Sequence, residues 1–73
     1  MLMIPVDSSN IRSIGFNHIS NTLHIQFHNG RRYRYSDVSA YAFTLLLNAN
    51  SIGSYFNSHI KGVYPCRQLK VIA

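Results

Sequence analysis

Large apolar residues alternate with polar ones through much of the first half of the chain. Ile14 and Phe16 alternate with Ser13 and Gly15, and Leu23, Ile25 and Phe27 with His24 and Gln26. Tyr33 and Tyr35 alternate in the same way with Arg32 and Arg34. A period of two marks strands with one buried face, so these runs predict an antiparallel β-meander of about three strands. Residues 17–21, polar apart from Ile19, form the first turn.

The second turn contains Asn29-Gly30, a pair that favours a two-residue type I′ hairpin. Such a loop would set Phe27 against Arg32 and Gln26 against Tyr33, mixing apolar and polar residues on both faces. A three-residue loop of His28, Asn29 and Gly30, with Gly30 in the left-handed region, instead sets Ile25 against Tyr33 and Leu23 against Tyr35. The large apolar side chains then share one face, and the three-residue loop is preferred.

Beyond residue 38 the period lengthens. Ser39 is the N-cap of a first helix, with Val38 and Phe43 as a hydrophobic staple and Ala42, Leu45, Leu46 and Ala49 turned toward the sheet. Asn48-Ala49-Asn50 ends it. Ser51 caps a second, shorter helix running to about His59, with Phe56 and Ile60 inward and Tyr55 beside them. Gly62 and Pro65 break the helical run, and Leu69 with Val71 is a candidate short C-terminal strand. The expected fold is one α+β domain, residues 1–73, with a core over about residues 6–69 and apolar termini outside it.

Charge alters the meaning of the polar sheet face. Seven Lys and Arg stand against two Asp and no Glu, a net +5 in 73 residues, and such a body attracts polyanions. The alternation gathers Ser13, Gly15, His24, Gln26, Arg32 and Arg34 on the open face, with Arg31 near the turn and no carboxylate among them. The face has two readings: an ordinary solvated surface, or a phosphate-binding one to which Lys61 and Arg67 add charge. Tyr33, Tyr35, Phe27 and Phe16 fall on the core face, so base stacking on the open sheet is not expected. Recognition through phosphates is salt-sensitive, and four contacts on single strands would each add about −0.7 to the log–log salt slope.

Ser51-x-Gly53 opens the second helix, where unpaired backbone N–H groups could hold an anion. The alternative is an ordinary cap and a glycine required by close packing. Asn57 is a ligand contact or an internal hydrogen-bond partner. No metal is expected: His24 and His28 lie about 13 Å apart on an extended strand, and His18 and His59 are isolated. No catalytic carboxylate pair, oriented Cys66–His59 dyad or glycine-rich nucleotide loop is present, so neither enzymatic activity nor a cofactor is expected. The first residues lack the pattern of a signal peptide, no apolar run reaches membrane-spanning length, and the single Cys66 suits a reducing compartment. The expectation is a cytoplasmic protein that does not enter membranes.

Residues 6–69 resemble the KTSC domain, a small module named for its occurrence at the C-terminus of some lysyl-tRNA synthetases. The resemblance lies in Ser8-Ser9 with Ile11, in Ile14-Gly15-Phe16, and in the Leu23/Ile25/Phe27 strand followed by Gly30. It continues through Tyr33-x-Tyr35-x-x-Val38, Leu46 and Ala49. Its most specific part is Ser51-x-Gly53-x-Tyr55-Phe56-Asn57-x-x-Ile60-Lys61, followed by Tyr64-Pro65 and Arg67. The chain departs from the family pattern at Ser39, at Ser20-Asn21 and at Ile52, where a basic or polar residue is common. The resemblance implies a small α+β fold and a role in RNA binding, without an established biochemical activity. Two function classes follow: a nucleic-acid-binding module using His24, Arg31, Arg32, Arg34, Lys61 and Arg67, or a protein-interaction module. The second would dock a partner through a sheet edge or through the apolar ends at residues 1–4 and Val71-Ile72.

Overall fold

The structure, a computed structural model, describes residues 1–69. Its elements are β1 (Met3–Pro5), β2 (Ile11–Asn17), β3 (Thr22–Phe27), β4 (Arg32–Tyr35), α1 (Ala40–Leu47), α2 (Ile52–His59) and β5 (Cys66–Leu69). The five strands form one antiparallel sheet in sequence order. Both helices are inserted between β4 and β5, and their inward residues join one face of the sheet in a single core.

The β3–β4 hairpin follows the alternation. Leu23 lies opposite Tyr35 and Ile25 opposite Tyr33. Phe27 N–H donates to the Arg31 carbonyl at 2.9 Å, leaving His28, Asn29 and Gly30 as the loop. Gly30 has φ +88°, a conformation that disfavours a Cβ. In the first turn the Asn17 side chain accepts from the N–H of Ile19 at 3.0 Å, and Asn21 takes φ 54°.

The sheet is wider than the three-strand expectation. Residues 3–5 were expected outside the core, yet they pair with residues 13–15 as β1, which covers the edge that β2 would otherwise present. β5 pairs with β4 from Tyr35–Cys66 to Arg32–Leu69. Leu69 thus belongs to the C-terminal strand as expected, whereas Val71 and Ile72 lie outside the described residues. Neither added strand carries clean alternation, because each lies at an edge and is largely exposed.

One irregularity in β2 also escapes periodicity. Ile11 pairs with Phe27 and Ser13 with Gln26, so Arg12 is an extra residue bulged out of the ladder. The bulge resets the parity and lets Ile11 and Ile14, three apart, both be fully buried.

Val38, Leu46, Phe56 and Ile60 complete the core with Ile11, Ile14, Leu23, Ile25 and Tyr35. Ser39 caps α1 by accepting from Ala42 N–H at 3.1 Å, and Phe43 stacks on Phe16 with centroids 4.9 Å apart. Leu45 was expected to face the sheet but is exposed; Phe43 and Leu47 pack on the core instead. The inward stripe is therefore Ala42, Phe43, Leu46 and Leu47, adjacent pairs one turn apart, and Leu45 falls off it.

Candidate functional site

Residues paired across antiparallel strands share a face, so the register defines the side of the sheet away from the helices. One row runs Met3, Gly15, His24, Arg34, Arg67, and the next runs Pro5, Ser13, Gln26, Arg32, Leu69. The two rows differ along their length. At the β1–β2 end the face is closed: Gly15 and Ser13 are buried, and Ser13 Oγ donates to Gln26 Oε1 at 3.2 Å. A Cβ on Gly15 would lie 2.5 Å from Met3 Sδ and 3.1 Å from the Leu2 carbonyl oxygen, so the N-terminal segment crosses directly over this glycine.

At the other end the basic side chains collect. His24, Arg34 and Arg67 occupy successive cross-strand positions, a row spanning about 10 Å at the usual spacing between strands. Arg32 stands in the adjoining row. The two side-chain carboxylates of the chain, Asp7 and Asp37, belong to loops and not to either row. Among the described residues, the buried side-chain nitrogens and oxygens without a hydrogen-bond partner are His24 Nδ1, Arg32 Nε and Arg34 Nε. All three belong to this cluster. Burial foremost, then the Arg32 and Arg34 guanidiniums and the amino terminus, hold the His24 imidazole below its ordinary value of 6.5.

The expected set of six basic residues is divided by the sheet. β5 brings Arg67 beside Arg34, as a phosphate-binding face would need. Arg31 and Lys61 lie on the opposite side, where they line a groove with Phe27, Tyr33, Phe56 and Asn57. The three-residue loop is the reason: it sets Arg31 opposite Phe27 and so in phase with Tyr33 and Tyr35, whereas Arg32 and Arg34 take the other parity. Placing Arg31 with the open-face residues is thus corrected by the register.

Ser51, Gly53 and Asn57 do come together. They line a pocket of about 490 Å³ with Asp7, Ser8, Ser9, Asn10, Asn50, Ile52 and Ser54. Ser51 Oγ accepts from Ser54 N–H at 3.3 Å, a helix cap. A Cβ on Gly53 would meet Asn10 Oδ1 at 2.9 Å and Ser8 Oγ at 3.3 Å, so this glycine lets α2 approach the β1–β2 connection closely. Neither Lys61 nor Arg67 lines the pocket, and the charged side chain that does is Asp7. Among the described residues, no three of His, Cys, Asp or Glu gather as a metal site would require, and no helix is long and apolar enough to cross a membrane.

Over residues 7–64 the chain matches the family described as the KTSC domain. The chain belongs to the KTSC family. A crystal structure of a KTSC domain protein from Yersinia pestis superposes with a TM-score of 0.89 at 37% identity, covering 94% of this chain and 97% of that one. A protein of Stutzerimonas stutzeri, described only as uncharacterised, is 34% identical over 61 residues, 84% of this chain and 86% of its own length. The resemblance seen in the sequence is thereby established, and with it the small α+β fold. Within this KTSC domain, the segment from Ser51 to Ile60 supplies the α2 cap, the close approach at Gly53 and two fully packed core residues, Phe56 and Ile60. Much of that motif is therefore accounted for by packing.

Proposed function

We propose that this KTSC domain is a non-enzymatic nucleic-acid-binding module that grips the phosphates of RNA with His24, Arg32, Arg34 and Arg67. The observation that carries the reading is the cross-strand cluster itself. Like charges directly opposite one another destabilise a sheet, and buried polar atoms normally find partners. Arg34 faces Arg67 across the β4–β5 ladder with His24 on its other side, and the unpartnered nitrogens are on His24, Arg32 and Arg34. An anion lying across β3, β4 and β5 would relieve the repulsion between the Arg34 and Arg67 guanidiniums. The sparse aromatic content of this face favours recognition of the backbone over that of bases, and so weak sequence preference. An exposed, free Cys66 accords with a reducing, cytoplasmic setting.

Docking of a protein through a sheet edge or the apolar termini is the competing class, with Met1, Leu2 and Ile4 exposed at its disposal. The β1 edge suits it poorly, because the strand is three residues long and ends in Pro5, features that blunt edge pairing.

Titration of a single-stranded RNA at several salt concentrations tests the proposal. Three arginine–phosphate contacts predict a log–log salt slope of about −2, from about −0.7 per contact. Arg32→Ala combined with Arg34→Ala should remove most of that slope and most of the affinity. Salt-independent binding, or an unchanged affinity in the double variant, would reject the face. Oligomerisation through residues 1–4 in size-exclusion chromatography, with no RNA binding, would favour protein docking instead.

A further inference from the structure

The groove on the helix side has a composition unlike that of the sheet face. Its volume is about 330 Å³, at the small end of the roughly 300–1,000 Å³ of small-molecule sites. Four aromatic rings form a continuous edge-to-face series beneath it: Tyr33 to Phe27 at 5.7 Å, Phe27 to Phe56 at 5.6 Å and Phe56 to Tyr35 at 5.6 Å. Phe27 and Tyr33 are only half-buried, so ring surface remains open toward the groove.

Two cations stand at this aromatic floor, Arg31 from the end of the β3–β4 loop and Lys61 from the segment after α2, and among the described residues no carboxylate lines the cavity. Amides from three different segments, Asn10, Asn29 and Asn57, complete the polar wall. The Asn29 side-chain oxygen Oδ1 is already used, accepting from Arg31 N–H at 2.9 Å, which fixes the loop that presents Arg31. Aromatic surface, amides and paired cations in one small cavity match a ligand with a flat ring, hydrogen-bonding edges and a terminal anion. The larger pocket by Ser51 lacks both the aromatic floor and the cations.

We propose that this groove binds a nucleoside monophosphate, its base against Phe27 and Tyr33 and its phosphate between Arg31 and Lys61. The site shares none of the four basic residues of the sheet face and does not depend on RNA binding there. Base–aromatic contact tolerates any base, because each has a π-face, while the amides set any preference among them.

Calorimetric titration of the intact protein with adenosine and uridine 5′-monophosphates tests the site, and alkylation of Cys66 localises it. Cys66 lines the groove and is the chain's single cysteine, so one labelling rate reports on occupancy. A bound nucleotide should slow labelling several-fold, whereas inorganic phosphate or the free nucleosides should bind far more weakly. Arg31→Ala and Lys61→Ala should each weaken nucleotide binding about tenfold, the scale of one charge-assisted hydrogen bond. Arg34→Ala should leave nucleotide binding unchanged and affect only RNA. Both groove residues are exposed, and unchanged thermal unfolding of the variants would show that the fold is kept. Absence of nucleotide binding at millimolar concentration overturns the proposal. So does equal binding of inorganic phosphate, or binding lost with Arg34→Ala but kept with Arg31→Ala and Lys61→Ala.

Discussion

Arg34 on β4 lies directly opposite Arg67 on β5, two guanidinium-bearing residues on one face of the sheet. His24 flanks Arg34 on the other side. With no anion bound, this pair opposes folding. Replacing Arg67 by Thr, a residue suited to strands, should raise unfolding stability by about 0.2–1 kcal/mol in low salt. The gain should shrink as added salt screens the repulsion. Denaturant unfolding at two ionic strengths measures it, and a variant that loses stability in low salt would show the pair to be supportive. The same substitution should weaken RNA binding, so stability and function move in opposite directions at Arg67.

His24 makes that opposition visible in pH. Its folded pKa lies below 6.5, through burial first and then Arg32, Arg34 and the amino terminus. The unfolded chain therefore takes up this proton at a higher pH than the folded one. Stability from His24 is fully present above about pH 6.5 and declines as pH falls through the folded pKa. In urea unfolding, His24→Asn should flatten the decline between about pH 7 and pH 5. Bound phosphate has the reverse effect, because an anion beside His24, Arg32, Arg34 and Arg67 favours the imidazolium. RNA affinity should accordingly rise as pH falls, and the rise should disappear in His24→Asn. Affinity that is flat across this range in the parent protein would separate His24 from the binding face.

The hairpin and both helix caps are legible in the sequence because each depends on nearest neighbours along the chain. Alternation decides between a two-residue and a three-residue loop, and Ser39 and Ser51 announce the helices they cap. What escapes is information held across the sheet. The bulge at Arg12 is invisible to a period-two pattern, since its purpose is to break that pattern so that Ile11 joins Ile14 in the core. β1 and β5 lie at the edges, where exposure on several sides removes the alternation that marks a half-buried strand.

The candidate site divides along the same line. His24, Arg32 and Arg34 are readable as one face from alternation alone, whereas Arg67 joins them only through the β4–β5 register. Arg31 leaves them by one residue of parity. That signal was available in the sequence: a loop closing at Gly30 already puts Arg31 opposite Phe27 and in phase with Tyr33. Lys61 carries no comparable signal, because its partner in the groove comes from the far end of a hairpin thirty residues earlier in the chain.

Gly15 should resist substitution although it lies in a strand, where glycine is usually unfavourable. Its missing Cβ leaves the space occupied by Met3 Sδ and approached by the Leu2 carbonyl. Gly15→Ala forces the Met3 side chain to move and crowds a backbone oxygen, so it should destabilise the domain by about 1–3 kcal/mol, as overpacking does. Met3→Ala in the same chain removes the nearer obstacle and should recover part of the loss. Thermal unfolding of the two single variants and the double variant measures the coupling. Additive effects would show that the N-terminal segment does not rest on Gly15.

Tyr35 provides a readout of the core from the alkaline side. The residue is buried at the edge of the groove, and burial foremost, with Cys66 and Tyr33 adding to it, pushes its pKa up to about 12 from an ordinary 10.0. The folded state therefore keeps a proton that the unfolded chain gives up. Stability from this group is fully present below about pH 10 and is lost as pH rises toward about 12. Tyr35→Phe preserves the ring that packs edge-on against Phe56 and removes the ionisation. The variant should lose less stability between about pH 10 and pH 12 than the parent, and its absorbance titration should lack the tyrosinate that forms near the upper limit. Equal alkaline destabilisation of the two proteins would place the Tyr35 hydroxyl in contact with water, and would mean that the β4 end of the core opens well before the domain unfolds.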